Sequence, residues 1–71
     1  MTKELWKKEV EIISGMIEKV LASEGESDAY INQMIGVCNA MDWMAGCYAD
    51  DANKEIVRNK FNHYKEQLIR Y

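Results

Sequence analysis

Cys38 and Cys47 bracket a lone carboxylate, Asp42, in the stretch GVCNAMDWMAGC, and the only histidine, His63, follows sixteen residues after Cys47. These are residue types from which thiol chemistry is built: a cysteine nucleophile, an imidazole to take its proton, and an acid to orient the imidazole. The spacing argues against that use. On one helix, nine residues are about 13.5 Å of rise and half a turn, so the two cysteines face opposite sides. A disulfide needs Cα atoms within about 7 Å, so they cannot pair with each other there. Nothing marks a group that would orient His63, and no glycine-rich turn offers an oxyanion hole or a phosphate cradle. Free thiols point to a reducing cytoplasm. One histidine without a CxxC or HxxxH pair gives no basis for a metal site. The chain therefore reads as non-catalytic, with no cofactor and no metal.

A second chemistry is anion binding. Lys54, Arg58 and Lys65 form a basic stripe beside the apolar seam of the last segment, where Phe61 and Tyr64 offer rings. Cations around a phosphate and a ring stacked on a base make a nucleotide site, and Arg58 alone has the fork for bidentate contacts. With Trp43 and Asn39 from the preceding segment, these residues form the candidate ligand set: Trp43, Asn39, Lys54, Arg58, Phe61 and Lys65. The plainer reading is a solvated stripe whose charge offsets the rest of the chain. Residues 1–51 carry four basic and ten acidic side chains, a net −6, and residues 52–71 carry five and two, a net +3. At −3 overall, the chain is too acidic for a general nucleic-acid binder.

The elements that must position these residues are helical. There is no proline, and apolar residues recur at spacings of three and four rather than two. Helices are expected over about 3–23, 28–49 and 52–70, with Thr2, Ser27 and Asp50 or Asp51 as N-caps and Gly25 as a stop. The break near YADDAN has no glycine or proline to enforce it, so the second and third segments could form one bent helix. The fold class is all-α: one small domain, a helical hairpin plus a third helix, assembled into an oligomeric helical bundle.

Helix one has a seam of Trp6, Val10, Ile13, Ile17 and Val20, widened by Leu5, Ile12 and Met16, with Glu9 between an intramolecular and an intersubunit face. Helix three has the seam Val57, Phe61, Tyr64, Leu68 and Tyr71. Helix two is apolar on two sides. Tyr30, Ile31, Met34, Cys38, Met41, Ala45 and Tyr48 make one broad face; Gly36, Ala40, Trp43 and Cys47 make a strip nearly opposite. A helix apolar nearly all round is a buried one, and two other short helices can hardly enclose it. A second copy is the natural cover. The expected interface is Gly36, Ala40, Trp43 and Cys47 with Leu5, Ile12 and Met16, and Asp42 is left to keep a narrow edge wet or to pair across the subunit boundary.

The most apolar run, Ala29 to Ala49, contains Asp42, Asn32, Gln33 and Asn39 and lacks basic flanks, so it reads as a buried helix and not a membrane span. The charged start MTKELWKKEV does not read as a signal peptide.

The central IGVCNAMDWMAG with its Ala–x–x–Trp stretch, followed by a charged third helix, resembles the small accessory proteins of bacteriophage genomes over about residues 28–70. That resemblance implies a small, self-assembling, cytoplasmic protein with a binding role, in the host cytoplasm if phage-encoded. In such proteins the roles include blocking a host protein and sequestering nucleotide signals of antiviral defence. No functional residue carries over from it. The expected function is self-assembly with binding of a host protein. The alternatives are sequestration of a small anionic ligand at subunit junctions, or a structural part of a phage or bacterial assembly.

Overall fold

Thr2, Ser27 and Asp50 each accept the backbone N–H three residues further on, and a helix starts from each. The computed structural model describes residues 2–71. Helix α1 spans Lys3–Ala22, α2 spans Asp28–Tyr48 and α3 spans Asp51–Ile69. The capping distances are 3.2 Å for Leu5 N to Thr2 Oγ1, 3.2 Å for Tyr30 N to Ser27 Oγ and 2.9 Å for Asn53 N to Asp50 Oδ1. Each bond satisfies an amide that the helix itself leaves without a partner.

Helix α1 ends at Ser23, whose N–H reaches the Lys19 and Val20 carbonyls, and Gly25 makes the turn with φ +81, a left-handed conformation suited to glycine. Segments two and three are separate helices, not one bent helix. Ala49 and Asp50 are both extended, and the Asp50 cap makes a break that no glycine or proline announces.

The longest contact is between α2 and α3, and α1 lies against both. The core takes Trp6, Ile17 and Val20 from α1, Ile31, Met34, Cys38, Met41 and Ala45 from α2, and Val57, Phe61, Tyr64 and Leu68 from α3. Fully burying one large apolar side chain stabilises by about 1.5–3 kcal/mol, so these residues dominate the fold. Val10 and Ile13, at the margin of the α1 seam, are half-buried. Trp6 packs on Tyr48 with ring centroids 6.1 Å apart, and Phe61 meets Tyr64 edge-on at 5.8 Å.

Two tyrosines tie distant parts of the chain. The Tyr64 hydroxyl donates to Glu18 Oε1 at 2.6 Å, and burial, reinforced by that carboxylate, pushes the phenol up to about 12. Ser14 Oγ, buried on α1, lies near enough to oppose that shift slightly but outside hydrogen-bonding geometry. Tyr71 is the last position of the predicted α3 seam, yet it stays largely exposed. Its hydroxyl donates to the Ser23 carbonyl at 2.6 Å and accepts from the Glu26 N–H at 3.3 Å, clasping the α1–α2 turn.

Replacing Tyr71 by Phe is expected to lower unfolding stability by about 1 kcal/mol, because two backbone groups lose a partner but can reach water; urea unfolding measures it. Asp50 gives a pH signature. The Asn53 N–H holds its carboxyl below the usual range. Its contribution is therefore present above about pH 4, the ordinary carboxylate value, and is lost as pH falls through the lower folded value. Asp50→Asn keeps a capping oxygen and removes the titration, so acid unfolding below about pH 4 should become shallower in that variant.

Candidate functional site

Ile31, Met34, Cys38, Met41 and Ala45 form the buried stripe of α2, and its neighbours fix how the helix is turned. On one flank Asp42 accepts from Arg58 Nε of α3 at 2.9 Å. On the other flank Tyr30 shares a shallow cleft with Met16, Lys19 and Val20 of α1. Val37 and Met44 follow Tyr30 at intervals of seven, so they continue along the α1 side and are half-buried there. The remaining side of α2 points away from both helices.

That outward side carries Gly36, Ala40, Trp43 and Cys47, all four exposed, with Trp43 at 73 %. From Ala29 to Cys47 every exposed α2 residue is uncharged. On α1, Leu5, Ile12 and Met16 are exposed as well. Met16 lies on the α2 flank of α1, and Ile12 and Leu5 precede it by four and eleven, on the same stripe. Exposed apolar side chains thus stand both on the α1 stripe and on the outward side of α2, with Val37 and Met44 half-buried on the flank between them and Gln33, Asn32 and Asn39 exposed on α2 as well. Exposed large apolar side chains mark an interaction site when they gather on one face, and a tryptophan is a frequent anchor there.

The candidate ligand residues are not brought to one pocket. Phe61 is fully enclosed at 0 % exposure, and Tyr64 is buried beside it, so neither has a ring face open for stacking. The expected stacking role of Phe61 is corrected: its position on the seam made it core. Arg58 is engaged by Asp42, and Lys54 lies 3.9 Å from Asp51. Lys65 is half-buried on the α2 side of α3, close enough to Cys38 to oppose the upward shift of its thiol. Asn39 and Trp43 are exposed on α2. Asp42, expected to keep a narrow edge wet or to pair across a subunit boundary, is half-buried and pairs with Arg58 within the chain. Both members of the pair are partly exposed, and such a pair is worth at most about 1 kcal/mol. Glu9 is half-buried.

Cys47 and His63 do not come together. Cys47 is on the outward side of α2, while His63 is exposed on the side of α3 turned away from Arg58 and Lys65. Cys38 is buried, and burial pushes its thiol up to about 11, far from the range of a reactive cysteine.

A cleft that the spacing did not indicate opens between α1 and the α2–α3 turn. It has a volume of about 190 Å³ and is lined by Trp6, Val10, Tyr48 and Val57 with Lys3 and Lys7. Its walls come from positions more than forty residues apart, and the only local sign was Lys3 and Lys7 one turn apart around Trp6.

Comparison with protein-family models, with curated proteins and with solved structures finds no match to this chain. No helix among the described residues is long and apolar enough to cross a membrane.

Thiol labelling followed by mass spectrometry should modify Cys47 in the native, dilute protein. Cys38 should react only on unfolding, since it is both enclosed and poorly ionised.

Proposed function

We propose that this chain is a non-catalytic binding protein that works by self-association, with the α1/α2 face as its association surface. The observation that carries the reading is Trp43, exposed at 73 % in the middle of an α2 surface without a charge. An isolated exposed aromatic is unremarkable on a protein surface; one on a side of α2 that carries no charge, with Ala40, Gly36 and Cys47 beside it, is suited to be covered. The class of role follows from the resemblance of the central helix to phage accessory proteins: an assembly that occupies the surface of a host protein. Sequestration of an anionic ligand finds less support, because Arg58 is already paired and Phe61 is enclosed.

Light scattering on the purified chain should give a mass that rises with concentration above the 8.3 kDa of one copy. Trp43→Ala should weaken assembly by roughly 2 kcal/mol or more, as at an interface anchor, without loss of helix content. Ile56→Ala, at an exposed apolar position of α3, is the control and should leave assembly unchanged. A chain that stays at 8.3 kDa at every concentration would refute the reading.

A further inference from the structure

The cleft between α1 and the α2–α3 turn is built from other residues than the α1/α2 face, and we propose that it binds a small aromatic anion. One ring lies in the cleft against Tyr48 and Val10, and a carboxylate or phosphate on a short arm sits between Lys3 and Lys7.

The walls and the volume select a single ring. Trp6 and Val57 are nearly enclosed and form the floor, while Tyr48 is 37 % exposed and leaves ring surface open. The Trp6 and Tyr48 rings meet at 39° with centroids 6.1 Å apart. A third ring can join such a pair in an offset or tilted contact, the arrangements that aromatic rings prefer. An apolar cavity of about 150 Å³ takes a benzene ring. The cleft, at about 190 Å³, has room for one ring and a few further atoms. It is smaller than the roughly 300–1,000 Å³ of sites for larger ligands.

The rim selects the charge. Lys3 and Lys7 stand one turn apart on α1, where like charges disfavour the helix. Lys3 also opens that helix, at the positive end that favours an anion over a cation. Among the described residues the ion pairs are Lys54–Asp51 and Arg58–Asp42, so neither lysine is neutralised by contact. Two acids, Asp50 and Glu11, line the same cleft. Asp50 is committed to its cap: its Oδ1 accepts from both the N–H and the Nδ2 of Asn53, each at 2.9 Å. The charges of Lys3 and Lys7 act on that carboxylate across the cleft, which puts both lysines at its mouth. Glu11 lies one turn beyond Lys7, away from the start of α1. An anion set between Lys3 and Lys7 relieves their repulsion and supplies the partner that the fold leaves out.

Titration of the whole chain with phenylacetate and with phenyl phosphate, followed by two-dimensional proton–nitrogen NMR, tests the site. The two indole N–H signals report separately, and Trp43→Phe assigns them. Both anions should move the Trp6 signal and the Asn53 amide to saturation, with a dissociation constant on the order of 1 mM or below for a ligand of this size, and leave the Trp43 signal in place. Benzyl alcohol and phenethylammonium should bind more weakly by roughly tenfold, and Lys3→Gln with Lys7→Gln should weaken both anions by a similar factor without loss of helix content. Ala49→Leu, which fills the cleft from an extended position, should abolish the shifts. Shifts that never approach saturation, or that centre on Trp43, would overturn the site. Benzyl alcohol binding as tightly as phenylacetate, or anion binding indifferent to the loss of both lysines, would overturn the selection of an anion. None of these results bears on self-association through the α1/α2 face.

Discussion

Helix α2 presents more apolar surface than two other short helices can cover, and the rest of the structure follows from that constraint. Its stripe from Ile31 to Ala45 is enough to anchor α1 and α3, and those two helices close over one side. The opposite side still carries Trp43, Ala40, Gly36 and Cys47. A chain of 71 residues buries a modest share of its surface, so an unclosed side of this composition is the expected place for a second molecule to add stability.

The polar contacts do less to hold the fold than to orient it. Asp42–Arg58 and Lys54–Asp51 are exposed or half-exposed and individually weak. Their value lies in direction. Asp42 can reach Arg58 only if the Tyr30, Val37 and Met44 flank faces α1, and that choice leaves Trp43 pointing outward. Rotating α2 by one residue, about 100°, would turn Trp43 toward the other helices and break the ion pair. The same holds at the ends of the bundle, where Tyr71 ties the end of α3 to the α1–α2 turn and Tyr64 ties its middle to Glu18.

Much of the fold was legible because it is local. Caps depend on a residue and the amide three positions on, so Thr2 and Ser27 could be read directly, while Asp50 and Asp51 stood as equal candidates until the backbone chose Asp50. Helix faces depend on spacings of three and four, and the buried stripes of α2 and α3 fall where those spacings put them. The two-sided character of α2 was legible for the same reason. What escaped was non-local. Spacing cannot say that Arg58 meets Asp42 sixteen residues away, that Tyr71 reaches back to Ser23 over forty-eight, or that Trp6 and Tyr48 wall one cleft. Phe61 shows the limit on site prediction: periodicity placed it on a seam, and only the closure of α1 and α2 over that seam removed it from any ligand.

Trp43 is open in one chain, and the self-association proposed for the α1/α2 face would cover it. The chain contains two tryptophans, and Trp6 is closed in either case. Acrylamide quenching of tryptophan emission, followed as the protein is diluted, therefore isolates Trp43. If copies associate through Trp43, the quenchable fraction rises on dilution as they separate. A quenchable fraction that stays the same from the most concentrated to the most dilute sample would contradict it.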